Sequence, residues 1–532
     1  MHSNLKISVW LLKNFTVFAL AATASTVLAA DKAISEWVYP GPDGKLIYKK
    51  TPFGDRIMDF SSAGYMGGGV PLPDVAVKRT VQPSAKGDHT AEIQAALDDV
   101  AKMPLEGKFR GAVLLAPGVF TCSNSLVIPA SGVVLRGSGC GPDGMISAIK
   151  MMGRRHVAIT TRNPGSGRDR PARDGEEPGA LHTSMAEDYV ASGTTSFSVK
   201  DTAGFSPGDM IEIRRPVTEK WVSFMGMDDM TRDGKHQTWI RAGTTIDIER
   251  NIAAISGHTL TLDVPLSDSF DAKYLNPPGT AIVKTSPRVR LTQIGVESLR
   301  IECPPQAVNH TEALYSALRL NGEDCWARNL VIEETMNSVG IGGRRITLEH
   351  VTVNRKALHQ GSSKPAEFAP NGDQILFDHC SVNADNVWFV ATGAEHSGPI
   401  VLLHCSFSGN GHIEGHMRWT TGMLLDNCEL PDGGIDFKNR GSMGSGHGWG
   451  TGWSVAWNCV ASSYVVQQPP GVFNWAIGCK GERLLLPRPF GSEPKLPSGI
   501  FDSHGKPVTP SSLYLGQLTE RLGTKAVKNI GY

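Results

Sequence analysis

Ile375-Leu376-Phe377-Asp378-His379-Cys380-Ser381-Val382 and Ile400-Val401-Leu402-Leu403-His404-Cys405-Ser406-Phe407 are one pattern written twice, 25 residues apart. It returns as Met423-Leu424-Leu425-Asp426-Asn427-Cys428, Ser454-Val455-Ala456-Trp457-Asn458-Cys459 and Asn474-Trp475-Ala476-Ile477-Gly478-Cys479. Upstream, Ile346-Thr347-Leu348-Glu349-His350-Val351-Thr352-Val353, Arg328-Asn329-Leu330 and Glu297-Ser298-Leu299 fit the same frame. The position before the cysteine is then Ser298, Asn329, His350, His379, His404, Asn427, Asn458 and Gly478, in steps of 31, 21, 29, 25, 23, 31 and 20. Short alternating apolar runs separated by turn residues at such steps are the signature of a solenoid. Helical periodicity is absent between them, so each coil is built of strands. The expected fold class is all-β, a parallel β-helix.

In such a solenoid, equivalent residues of successive coils stack about 4.7–4.9 Å apart. Cysteine is small and apolar enough to fill an interior column. All nine cysteines follow residue 30, and nine is odd, so one at least lacks an intrachain partner. Free buried thiols are expected over disulfides. The His/Asn column reads as a ladder of turns whose side chains bond to nearby backbone.

The organisation follows from the same pattern. Residues 30–160 hold an N-terminal segment, a helix at Ala91–Met103 and the first coils. Ile93, Ala96, Leu97, Val100 and Ala101 recur at helical spacing behind Asp88 and Thr90, so this helix caps the open end of the solenoid. Residues 163–178 are a charged Gly/Pro-rich loop. Residues 187–285 read as an inserted small antiparallel β domain, through Phe197–Lys200, Met210–Arg214, Ile246–Glu249 and Leu260–Leu262. The main β-helix with the candidate groove spans 290–490, and 491–532 is a loop-rich C-terminal tail.

Over roughly 75–155 and 290–490 the chain resembles the pectate-lyase superfamily of right-handed parallel β-helices. The shared features are the Asp88-x-Thr90-x-x-Ile93-Gln94 helix start, the Gly111-x-Val113-x-Leu115-x-x-Gly118 strand and Phe377-Asp378-His379-Cys380-Ser381. The last is similar to the Trp-Ile-Asp-His-Cys segment of the pectate lyases. Gly446-His447-Gly448 is similar to the Gly-His-Gly of polygalacturonase-type hydrolases. The Arg-x-Pro-x-x-Arg motif of those lyases and the Asn-Thr-Asp motif of those hydrolases are not found. The resemblance implies a right-handed solenoid and a polysaccharide ligand.

Lys6 and Lys13 border apolar stretches that run into Val27-Leu28-Ala29, which reads as a secretory signal peptide over 1–29. The expected location is therefore periplasmic or extracellular, with no membrane span. Lys+Arg and Asp+Glu are balanced at 52 each, which argues against a nucleic-acid partner. An acidic glycan must then be met by local cations. The oligomeric state is not legible.

Those cations gather in one stretch. His416, Arg418, Lys438, Arg440 and His447 lie within 32 residues, about one coil plus a loop. Cutting a uronic-acid chain by elimination takes a base for the C5 proton, an acid for the leaving oxygen and positive charge on the carboxylate. These five are the candidate catalytic residues, and Ca²⁺ is a possible auxiliary cation. Trp388, Glu414, Trp419, Asp436, Asn439 and Trp449 are the candidate substrate-binding residues, the tryptophans as stacking faces for sugars. Ile435 and Phe437 should point inward and Asp436, Lys438 and Arg440 outward. The glycines alternating through 441–452 suggest a bare loop that displays His447 and Trp449 to a ligand. A hydrolase would need two opposed carboxylates, and no close acidic cluster stands out. The expected function is a secreted polysaccharide lyase. The alternatives are a β-helical glycoside hydrolase and a non-catalytic glycan-binding or adhesive β-helix.

Overall fold

The structure, a computed structural model, describes residues 32–85, 87–141, 145–161, 180–286, 289–307, 313–358, 363–493 and 495–532. The expected signal peptide and the charged loop at 163–178 lie outside them. Residues Ala33–Tyr532 belong to one unit.

The chain is 44% strand and 9% helix, and 24 strands join one continuous sheet wound as a right-handed parallel β-helix. Register follows the repeat read from the sequence. Ala327 pairs with Leu348, Leu348 with Phe377, Phe377 with Leu402, Leu402 with Leu425 and Leu425 with Ala456. These residues share one inner column of the core, with Cys380, Cys405, Cys428, Cys459 and Cys479 beside them.

The corner residue of each repeat, which precedes a cysteine in five of them, has a specific backbone role. Ser298, Asn329, His350, His379, His404, Asn427, Asn458 and Gly478 all take positive φ, between 49° and 67°. This left-handed conformation turns the chain at the corner, and Asn or Gly adopts it more readily than most residues. The thiols that follow lie within reach of strand carbonyls in the preceding coil. Cys405 Sγ donates to Phe377 O at 3.5 Å, Cys428 to Leu402 O at 3.5 Å, Cys459 to Leu425 O at 3.2 Å and Cys479 to Ala456 O at 3.4 Å. Each bond reaches back one coil. All nine cysteines are free, eight of them buried.

The capping helix spans Thr90–Ala101 and buries Ile93, Leu97 and Val100 in the end of the core. Asp88 accepts from the Thr90 backbone N–H at 2.9 Å, although the N-cap position is His89. The C-terminal residues differ from the expected loop-rich tail. Ile500–Asp502 pairs with Trp475–Ile477, so the solenoid continues past 490. Helices Leu513–Leu522 and Thr524–Asn529 follow. The first is anchored by buried Asp426, which accepts from Tyr514 N at 2.7 Å and Ser512 Oγ at 2.8 Å. The amphipathic spacing of Leu513, Tyr514, Gln517 and Leu518 is short, and the Gly/Pro-rich approach to it masks the signal.

Between the coils, strands from His182–Ser184 to Ala281–Lys284 form a six-stranded antiparallel sheet. Its apolar residues, with Trp221 and Trp239, share a core with Trp419, Trp449 and Trp453 on the outer face of the solenoid. Arg250, 1% exposed, ties the two together by an ion pair to Asp373 at 2.5 Å and a hydrogen bond to Gly398 O at 2.8 Å.

Two outcomes are expected. Native protein exposes one thiol, Cys140, to a thiol reagent, whereas denaturation without reductant exposes nine; fewer than nine would reveal a disulfide. Asn458 bonds Val508 O and Ser511 O through Nδ2, both at 3.0 Å. Asn458→Gly removes those bonds and keeps the turn, while Asn458→Val also strains it. Denaturant unfolding should place the valine variant about 1–2 kcal/mol below the glycine variant; equal stability would refute the turn's role.

Candidate active site

The site rests on two adjacent rungs. His412–Glu414 pairs in parallel with Gly434–Asp436 of the next coil, which sets Glu414 directly beside Asp436. Ile413, Ile435 and Phe437 enter the core, as alternation requires, so both carboxylates emerge on the outer face. Neither reaches solvent: each residue is 1% exposed.

Cations cover them. Lys438 Nζ lies 2.5 Å from Asp436 Oδ2 and 3.7 Å from Glu414 Oε2. Arg440 Nη1 is 3.1 Å from Glu414 Oε1 and donates to His416 O at 3.0 Å. His416 Nδ1 sits 2.5 Å from Glu414 Oε1, and His412 Nδ1 is 3.0 Å from Asp436 Oδ2. Trp388 meets the His416 ring edge to face at 4.3 Å, and Arg440 lies over the Trp388 ring at 5.4 Å. The His447 ring is 4.9 Å from that of His416. Arg418, in a left-handed turn, donates to Ser445 O and Oγ, both at 2.8 Å.

Charge state follows from this packing. Burial pushes the Asp436 carboxyl up, but Lys438 and His412 outweigh it and hold the group well below the ordinary carboxylate range. Burial likewise opposes ionisation of Glu414, and the His416 hydrogen bond with Arg440 and Lys438 overcomes it. Burial lowers Lys438, yet Asp436 and Glu414 raise it above its ordinary value, so it stays an ammonium. His447 moves the other way. Burial, then Arg440, His416 and Arg418, push its pKa down to about 3. It is a neutral imidazole, and its Nδ1 has no hydrogen-bond partner among the described residues.

The structure therefore brings His416, Arg418, Lys438, Arg440, His447 and Trp388 together over the pair Glu414–Asp436. It corrects three binding assignments. Trp419 and Trp449 are 1% and 3% exposed, and they pack under the insert instead of facing sugar. Trp419 Nε1 donates to Asp268 at 2.8 Å, and Trp449 Nε1 to Met225 O at 2.9 Å. Asn439, 2% exposed, closes a turn by accepting from Gly441 N at 2.7 Å. Glu414 and Asp436 are likewise enclosed, beneath Lys438 and Arg440.

The glycine-rich loop is also packed, not bare. A Cβ on Gly446, at φ 84°, would meet Thr238 O at 2.7 Å. One on Gly448, at φ 56°, would run into the Trp239 ring. These glycines let the insert approach, and His447 remains half-buried at the seam. The insert itself holds a cavity of about 930 Å³, lined by Lys220, Phe224, His236, Trp239, Lys273 and Tyr274. Phe224 and Tyr274 stack there at 3.9 Å. His412 joins the site without having been expected there; its signal is alternation with Glu414 on one strand face. The insert's share has no sequence signal, because it depends on contacts across some 200 residues, such as Trp239 Nε1 to Trp449 O at 3.1 Å.

A scan against protein-family models matched none, and comparison with curated proteins found no similar sequence. Solved structures do show likeness. The tailspike protein gp49 from Pseudomonas phage LKA1 matches at 13% identity and TM-score 0.41, over 74% of this chain and 56% of its own. The gp54 tailspike of Acinetobacter baumannii bacteriophage AP22, solved with a capsular saccharide, matches at 9% and 0.33, over 75% and 62%. The A-module of Azotobacter vinelandii mannuronan C-5 epimerase AlgE6 matches at 10% and 0.23, over 84% and 98%. The chain thus spans little more than half the length of the two tailspikes. Likeness at this level carries no argument about activity, and the fold rests on the chain's own strand pairing. No helix among the described residues is long and apolar enough to cross a membrane.

Acidification tests the electrostatics. Because the folded pKa of His447 lies below its ordinary 6.5, the unfolded chain binds the proton first as pH falls. That stability is complete above the unfolded pKa and declines toward the folded value. His447→Asn lacks this cost, so between pH 6.5 and 4.5 it should gain stability relative to the unmodified protein. A difference in unfolding free energy that is constant with pH would contradict the placement of His447.

Proposed function

We propose that the protein is a polysaccharide lyase that cleaves a uronate-containing glycan by β-elimination. The observation that carries this is a neutral, half-buried imidazole beside Arg418 and Arg440, above carboxylates that Arg440 and Lys438 already neutralise. Arg418 draws the uronate carboxylate, and with the buried Arg440 behind it offsets that charge, which makes the C5 proton removable. The half-buried His447 imidazole takes that proton, and the anionic substrate beside it raises its basicity. The C5–H electrons form the C4=C5 double bond, the C4–O bond breaks, and Lys438 gives a proton to the departing oxygen. Trp388 supplies an aromatic ring beside His416 and Arg440. Hydrolysis would need two carboxylates that reach the scissile bond, and Glu414 and Asp436 are both enclosed.

Incubation with a panel of uronic-acid polysaccharides, followed by ultraviolet absorbance, checks this reading. Absorbance of the unsaturated product should rise. His447→Ala should lower kcat by about 10²–10⁴-fold, and Arg418→Ala should mainly raise KM. New reducing ends without absorbance would establish hydrolysis instead. Binding that survives Arg440→Ala and His447→Ala, with no turnover, would establish an adhesive role.

A further inference from the structure

A second cluster lies on the corner of the solenoid, away from the groove and independent of the lyase reading. His350, His379 and His404 occupy successive left-handed turns, with ring centroids 5.1 and 5.4 Å apart. Buried Asp378 stands beside them, with His379 Nδ1 2.8 Å from its Oδ1. The Tyr532 hydroxyl ends inside this group. It lies 2.6 Å from Asp378 Oδ1, 2.8 Å from His404 Nδ1 and 3.3 Å from His379 Nδ1. A hydroxyl has one proton and donates to one partner at a time. Three donor atoms therefore converge on a point that one phenol satisfies poorly.

We propose that Asp378, His379 and His404 bind a divalent transition-metal ion of the Zn²⁺ type at the place now taken by the Tyr532 hydroxyl. The three donor atoms lie within 4.8 Å of one another, so small side-chain rotations bring all three onto one ion. Two imidazole nitrogens and one carboxylate oxygen suit Zn²⁺ or Co²⁺, whereas Ca²⁺ favours oxygen alone. Three protein ligands leave a fourth position for water. The backbone of the turns fixes the spacing of the two histidines, so the site is largely preorganised. Tyr532 is the competitor for the site and is displaced on binding.

Chelator-treated protein titrated with Co²⁺ and followed by visible absorption tests this, with Zn²⁺ calorimetry alongside. One Co²⁺ per chain should give the strong d–d band of a four-coordinate nitrogen-containing site, and Zn²⁺ should displace it. The His379→Ala/His404→Ala variant should lose more than about a hundredfold in affinity, beyond what outer contacts contribute. Tyr532→Phe should bind as tightly as the unmodified protein or more so. Absence of the band, affinity unchanged in the double variant, or a tenfold loss in Tyr532→Phe would overturn the proposal. Where the double variant does not fold, His404→Gln replaces it: loss of the band supports the site, and an unchanged band overturns it.

Discussion

The structure depends on a corner that is left-handed and closed from within by a thiol. A solenoid coil must turn without leaving backbone polar groups unpaired in its core. Positive φ at Asn, His, Ser or Gly makes the turn, and at the five corners where a cysteine follows, its thiol returns a weak hydrogen bond to a carbonyl one coil back. A larger side chain would overpack the column, and alanine would leave the carbonyl without that donor. The corner also fixes where everything outside the coil can stand. Side chains at the turn, such as Asn427 and Asn458, reach out to hold the Val508–Ser511 segment against the face.

The candidate site follows from the same regularity. Because neighbouring coils pair in register, Glu414 falls beside Asp436, and two carboxylates side by side are unstable unless cations intervene. Lys438 and Arg440 do so at close range, with His412 and His416 beside the carboxylates, which consumes the negative charge inside the protein. What faces outward is cationic. The insert completes the arrangement by pressing Trp239 onto the glycine-rich loop and half-burying His447, which drives its pKa down. Insert and solenoid together therefore set the surroundings of His447, although each folds its own sheet.

The coil pattern is legible in the sequence because it is one-dimensional: each rung repeats in sequence what it contacts in space. Alternation at Ile435–Phe437 gives the outward direction of Asp436, Lys438 and Arg440 correctly for the same reason. Burial of those outward residues is not legible, since alternation tells which face a side chain takes and not what covers that face. Trp419 and Trp449 look like sugar-stacking rings on that account, and the alternating glycines look like clearance for a ligand when their neighbour is Trp239. The C-terminal helices are hard to read because the anchor of the first, Asp426, lies 86 positions before its partner Ser512.

The central claim is that an acidic glycan is handled by the cations raised over Glu414 and Asp436 at the seam with the insert. A crystal structure with a bound uronate oligosaccharide tests it most directly. A uronate carboxylate should lie within hydrogen-bond distance of Arg418, with its C5 facing the His447 imidazole. An oligosaccharide seated elsewhere on the solenoid, with this cluster untouched, would contradict the account.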